Sequence, residues 1–225
     1  MLHPVAPHSN SPSLIQRWAD LMQAINPLTG MNWSEVGQAY RVFLNHPSQG
    51  ILHILAAGQH SNWTRWVAGR LARQAKPLAN QMIQLNLAEL AQLPPHTLGY
   101  AYACHILDQG FDPEAFSEEN DTWLGRRMAL SHDVHHVITG FDSSPIGEFG
   151  LAAFVLIQYR DLLNVFVLSH LPWYMMGHPG QVLKTLATVL RGFRLGFRVR
   201  PLIAYPFEAN WHKPLNNVRQ ELGIT

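Results

Sequence analysis

The feature that most limits what this chain can fold into is its punctuation. Its 15 prolines and 16 glycines recur at short intervals, and the segments between them carry helical rather than alternating patterning. Ser11-Pro12 can open a first helix that runs to about Ile25. Asn32 followed by Glu35 resembles a capping box for a second helix ending near His46-Pro47. Further helices are expected over roughly 50–59, 62–75, 78–93 and 96–109, the last two parted by Pro94-Pro95. Asp112-Pro113 reads as a cap with a first-turn proline. A helix over roughly 121–139 stops at Gly140, and Ser144-Pro145 restarts the chain as one long apolar helix to about His170. An apolar loop from Leu171 to Gly180 leads to an amphipathic helix from Gln181 to Phe197. Only Val199 to Tyr205 looks extended, and a helix near Trp211 to Leu222 closes the chain. The expectation is an all-α fold, with a flexible tail over residues 1–12 and a single helical domain over 13–225.

Composition narrows the function classes. Hydrophobic residues make up 47% of the chain and charged residues 14%, little charge for a surface facing water. Apolar area must therefore go into a pocket, a contact between copies or a membrane surface, and a homo-oligomer is expected. The net charge of +1 gives no general drive toward nucleic acid, so none is expected as a partner. Cys104 is the sole cysteine, which excludes an internal disulfide and a Cys-x-x-Cys metal site. Residues 1–12 lack the basic and apolar regions of a signal or transit peptide. The most apolar run, Leu151 to Leu168, is broken by Gln158, Arg160, Asp161 and Asn164, unlike a span of about 20 nearly uncharged residues. A cytoplasmic protein, peripheral on the inner membrane face, is expected.

The informative segment is Ser131-His132-Asp133-Val134-His135-His136, followed by Thr139-Gly140, Ser144-Pro145 and Glu148. His132 and His136 are four residues apart, so on a helix they share one face, a turn apart. Two imidazoles at that spacing can grip one divalent ion, though no Glu follows the first His as it does in zincins. Asp133 adjoins that face as a third ligand or as an acceptor that orients an imidazole. Glu148, reached through a tight turn, can come back antiparallel to the histidines. A His-x-x-x-His pair alone arises about once by chance in so His-rich a chain, so the acids carry much of the signal. Zn or Fe suits the His pair; Mg would need the carboxylates to lead. Glu148 and Asp133 are also the candidate proton-transfer groups.

Other groups compete for attention. His46, His53 and His60 repeat every seven residues but read as helix-face or cap residues. Arg191, Arg194 and Arg198 form a helical stripe with Lys184, either a solvated face or a contact for lipid headgroups or phosphate. Arg126 and Arg127 can bind a substrate carboxylate or pair with nearby acids. Leu151, Phe154, Val155, Val165, Phe166 and Leu168 are core or the lining of a long apolar pocket, with Phe193 and Phe197 extending the wall.

These residues resemble the coenzyme Q biosynthesis family known as the fourth Coq protein. Its hallmark is His-Asp-x-x-His, eleven residues, then Glu, matched here by His132, Asp133, His136 and Glu148. Leu93-Pro94-Pro95, Thr97 and Gly99 upstream agree, as do Val137 to Gly140 and an ending that runs from Pro201 to Ile224. The segment Tyr40 to Lys76 matches poorly, and Tyr205-Pro206-Phe207-Glu208 stands where a Val-Asp-Trp-Glu-like stretch is usual. The resemblance implies a helical protein with a divalent ion at the motif and a polyprenyl chain beside it. It also implies a part in ubiquinone synthesis, in removing the ring carboxyl at C1 and hydroxylating that carbon, or in organising a biosynthetic complex. With no transit peptide read at the N-terminus, it implies a bacterial-type member.

Three functions follow as expectations. One is a metal-dependent enzyme acting on a prenylated hydroxybenzoate-like lipid. Another is a non-catalytic scaffold that presents a prenylated quinone precursor to partner enzymes of the pathway. The third is an HD-type phosphohydrolase, which would need an upstream His and a downstream Asp; His105 and Asp161 can be nominated, without support from spacing.

Overall fold

The helices form where local capping chemistry begins them and end where the backbone leaves the right-handed region. A computed structural model describes residues 14–79, 85–110 and 122–224. The tail expected over residues 1–12 and the cap expected at Asp112-Pro113 lie outside the described residues. Among those described, the chain is all-α and has no strand; an isolated antiparallel bridge joins Thr97 and Pro214. No described helix is long and apolar enough to cross a membrane. The chain divides into two compact units, residues 1–65 and 66–225.

The first unit holds α1 (Leu14–Ile25), α2 (Trp33–Val42) and α3 (Pro47–Gly58). Asn32 caps α2 as expected, accepting from the backbone N–H groups of Ser34 and Glu35 at 3.1 and 3.4 Å. Glu35 does not complete the box: its carboxylate instead meets His53 Nδ1 of α3 at 2.6 Å. Half of the motif caps a helix and the other half ties α2 to its neighbour.

The division falls inside α4 (Asn62–Ala75). The helix expected over 78–93 is reduced, within the described residues, to a 3-10 turn at Lys76–Leu78 and the single turn α5 (Leu87–Leu90). Thr97 caps α6 (Leu98–Gln109), and Thr122 caps α7 (Trp123–Thr139). Ser144 caps α8 (Pro145–Tyr159), which has proline in its first turn. The long helix expected to reach His170 stops short. Arg160 adopts a left-handed conformation (φ 58°), and Asp161 then caps α9 (Leu162–Ser169) through Asn164 N–H at 2.8 Å. The expected apolar loop is mostly α10 (Leu171–Gly177), started by Pro172. The amphipathic helix is α11 (Val182–Arg198). The stretch read as extended contains a 3-10 turn at Leu202–Ala204, and α12 (Leu215–Leu222) follows.

The most extensive helix pairing among the described residues is α8 against α11. Small residues make it possible: a Cβ on Gly192 would lie 2.1 Å from the Gly150 carbonyl oxygen, so the two backbones nearly touch. The apolar pocket expected from these two helices therefore does not open at their crossing. Leu151, Phe154 and Val155 are buried. Phe193 is half-buried on a cluster of Phe149, Ala153 and Val189. Phe197 is 75% exposed.

Candidate metal centre

Helix α7 presents His132, Asp133 and His136, and α8 returns Glu148 in its first turn. The return depends on Gly140, whose left-handed backbone (φ 71°) ends α7 and donates its N–H to the His136 carbonyl at 2.8 Å. Ser144 and Pro145 then restart the chain, so Glu148 comes to face the histidines. His136 Nε2 lies 3.2 Å from Glu148 Oε1, and His132 Nε2 lies 3.9 Å from Glu148 Oε2. The two imidazoles sit edge to face with centroids 4.9 Å apart. His132, His136 and Glu148 converge in one group, and Asp133 falls in a second group that shares His136.

His136 is the anchor, with its side chain 1% exposed. Its Nδ1 sits 2.9 Å from the Phe141 carbonyl oxygen, an acceptor only, so Nδ1 carries the proton. That bond orients the ring so that Nε2 faces the Glu148 carboxylate. That contact lacks hydrogen-bond geometry, for Nε2 has no hydrogen-bond partner despite its burial. His136 Nε2, a nitrogen of His132 and an oxygen of Glu148 lie close enough to one another to share one divalent ion. His132 and Glu148 are 51% and 41% exposed, which leaves this side open to a ligand.

A further residue joins the centre that spacing along α7 could not supply. His105 of α6 places Nε2 3.5 Å from Asp133 Oδ1, and its ring stacks on His136 with centroids 5.1 Å apart. Two ligand groups result: His105, Asp133 and His136 on the inner side, and His132, His136 and Glu148 on the outer side. His136 has one nitrogen to offer, so these are two positions for one ion. The available signal was a histidine on the same helix face as the buried Tyr102 and Ile106. Asp161 belongs to neither group; it caps α9, so the pair nominated for a phosphohydrolase does not assemble.

Burial raises the Asp133 pKa, but the imidazoles of His105 and His132, each with a nitrogen 3.5 Å from Oδ1, outweigh it and hold the carboxyl well below the usual carboxylate range. For His132, burial works against charge, while the nearby Asp133 and Glu148 carboxylates raise its pKa on balance. His135, on an adjoining face of α7, is buried against Phe154 and Tyr159, and burial lowers its pKa to about 3. It is a neutral core residue.

The arginines divide as well. Arg127 is buried and pairs with Glu208 at 2.7 Å, its Nε donates to the Ile203 carbonyl at 2.9 Å, and its last nitrogen donates to the Tyr205 carbonyl. The Tyr205 to Glu208 stretch is thus the receptor for a core guanidinium. Arg191 donates to the Thr139 carbonyl at 2.7 Å and lies over the Phe141 ring. Arg191 therefore braces the turn that holds His136, and Arg194 and Arg198 are exposed on the same helix.

Comparison with known proteins gives a consistent answer. The profile of the coenzyme Q (ubiquinone) biosynthesis protein Coq4 matches residues 65–225. The mitochondrial ubiquinone biosynthesis protein COQ4 of Uncinocarpus reesii is 26% identical over 177 residues, covering 69% of this chain and 56% of that protein. Its counterpart in Clavispora lusitaniae is 26% identical over 212 residues, covering 80% and 60%. The chain spans a little over half the length of these relatives. A crystal structure of a candidate ubiquinone biosynthesis protein from Nostoc punctiforme superposes with a TM-score of 0.72 at 24% identity, over 87% of this chain and 99% of that one. That likeness establishes the fold. The profile match, which takes in α6, α7, α8 and every residue of the centre, makes the chain a member of the Coq4 family of coenzyme Q (ubiquinone) biosynthesis proteins.

Proposed function

We propose that this protein is a metal-dependent enzyme of ubiquinone-type quinone synthesis, acting on the ring of a polyprenylated hydroxybenzoate-like lipid at C1. The observation that carries the reading is the convergence of His136 Nε2 and Glu148 Oε1 without a hydrogen bond between them. His132, His136 and Glu148 would hold the ion, with Asp133 and His105 behind it. A divalent ion, when bound, supplies Lewis-acid polarisation of a phenolate or carboxylate oxygen. Zn and Fe suit the imidazoles best, and Mg would rest on the carboxylates.

The chain's own residues handle position and protons. The Phe141 carbonyl fixes the His136 tautomer, and His105 steadies Asp133, which stays ionised. Glu148 is half-exposed and acceptor-only when ionised, so it suits proton transfer to or from a ring at the mouth of the centre. Loss of carbon dioxide from C1 leaves an electron pair in the ring, and a protonated carboxyl here can deliver the proton that takes its place.

The test uses purified full-length protein, elemental analysis and turnover of a prenylated hydroxybenzoate. The wild type is expected to carry a divalent ion and to release carbon dioxide. His132→Ala with His136→Ala is expected to lose the ion. Glu148→Gln should lose turnover while its melting temperature stays close to the wild type. If Glu148 served only the α8 dipole, its loss would cost about 0.3–1 kcal/mol of stability and leave turnover intact. Unchanged metal content in the double histidine variant would end the proposal, and binding of the lipid without turnover would identify a scaffold.

A further inference from the structure

Glu148 has two duties at the mouth of the centre, to help hold a divalent ion and to carry a proton, and the two compete. A lone pair given to the ion is closed to the proton, and the charge of the ion disfavours protonation of the other oxygen. The inner group offers the ion a place that makes no call on Glu148. His105, Asp133 and His136 each contribute one ligand atom to it, all within 4.8 Å of one another. Two atoms bound to one zinc ion at about 2.1 Å in a tetrahedron lie about 3.4 Å apart. His105 Nε2 and Asp133 Oδ1, 3.5 Å apart, stand at that separation.

Packing fixes His105 in this position. The N–H groups of Leu98 and Gly99, at the start of α6, donate to the Lys213 and Trp211 carbonyls, both at 2.9 Å. A Cβ on Gly99 would lie 3.1 Å from the Cβ of Trp211, so the helix packs closely there. Tyr102 lays its ring against Trp211 with centroids 5.3 Å apart, and one turn further His105 stacks on His136 with 26° between the ring planes. The side chains of His105, Asp133 and His136 are 15%, 16% and 1% exposed, against 51% for His132 and 41% for Glu148. Opposite charges attract more strongly where water is scarce, so an ion beside Asp133 is held where solvent competes least.

We propose that His105, Asp133 and His136 form a second seat for the divalent ion, with His105 a direct ligand, and that this seat frees Glu148 to carry a proton at the mouth. The second seat presupposes that the centre binds a divalent ion, as proposed for its function. Both seats draw on His136 Nε2, so the protein binds one ion and not two. Each seat offers two imidazoles and one carboxylate, a donor set that suits zinc in either.

Zinc titrated into the metal-stripped full-length protein, in competition with a chromophoric chelator, separates the seats without reference to turnover. The wild type is expected to bind one zinc ion per chain. His132→Ala with Glu148→Gln removes the outer ligands and should still bind one zinc ion, within roughly tenfold of the wild-type affinity. Adding His105→Phe keeps a ring on His136 but removes the nitrogen. Zinc binding should then weaken by more than the roughly 10–100-fold that loss of an orienting partner costs. His105→Gln in the same background can still donate to Asp133 but is a poor ligand, and the same loss is expected. If circular dichroism shows that the phenylalanine disturbs the fold, the glutamine variant decides. A protein without the outer ligands that binds no zinc, beside a wild type that does, overturns the second seat and leaves the ion at the mouth. Zinc binding in that background that survives His105→Gln makes His105 a positioning residue only, which also overturns it. A wild type that binds no zinc overturns both seats.

Discussion

Three histidines in five residues of α7 meet three fates, and the helix face decides each. His132 stands at the mouth of the centre, His136 is its buried anchor, and His135 points into the apolar core against Phe154 and Tyr159. Burial keeps His135 neutral, its pKa lowered to about 3, whereas the unfolded chain takes up a proton near pH 6.5. Between these values the unfolded state binds more protons, so stability is fully present above about pH 6.5 and is lost as pH falls. The metal-free protein is therefore expected to lose about 1.4 kcal/mol per pH unit from this group over that window, and His135→Gln should flatten that slope. Thermal melts of both proteins across the pH range would show it; parallel curves would mean that His135 is not responsible. His132 works in the opposite sense, because its raised pKa gives stability that is present below about pH 6.5 and lost above it. The candidate ligands His132, His136 and Glu148 were legible from sequence because spacing alone puts the two histidines on one face and a short turn returns Glu148. His105 was not, since its place beside Asp133 is set by how α6 packs on α7, a relation no local pattern encodes.

At the scale of elements, caps were readable and interruptions were not. Asn32 and Ser144-Pro145 start helices with groups that lie next to the backbone they serve. The break after Tyr159 is different. Arg70 of α4 donates to the carbonyls of Gln158 and Tyr159 at 2.8 and 2.6 Å, satisfying the end of α8 from nearly ninety residues away. A run of apolar residues with a distant partner for its frayed end looks continuous in sequence. The pairing of α8 with α11 has the same character, because Gly150 and Gly192 matter only once they face each other. Gly192→Ala is expected to destabilise the protein by about 1–3 kcal/mol, since the new methyl would meet the Gly150 carbonyl oxygen and a backbone atom cannot step aside. Gly37→Ala, in the open on α2 with nothing near its Cβ position, should instead stabilise by about 0.4–1 kcal/mol. Denaturant unfolding of the two variants should move the midpoint in opposite directions. If both stabilise, helix propensity dominates and the close crossing is relaxed in solution.

At the scale of the whole molecule, two independent boundaries coincide. The family match begins at residue 65, and the second compact unit begins at Trp66. Every residue of the centre, from His105 to Glu148, lies within that unit, as do the crossing of α8 with α11 and the Arg127–Glu208 pair. A unit of this length can bury a core of its own. The division falls inside α4, so a fragment cut at residue 66 would lose the first turn of that helix and its cap, where Ser61 Oγ accepts from Thr64 N–H at 3.1 Å. A fragment beginning at Ser61 keeps both. It is expected to melt in one cooperative transition and to retain the same divalent ion, measured per chain, as the full-length protein. Calorimetry and elemental analysis on the two proteins, purified alike, make the comparison. A fragment that stays unfolded would show that residues before Ser61 belong to the same cooperative unit as the centre. A folded fragment stripped of metal would instead show that the ligands on α7 and α8 need support from outside residues 66–225, against the placement of all of them within it.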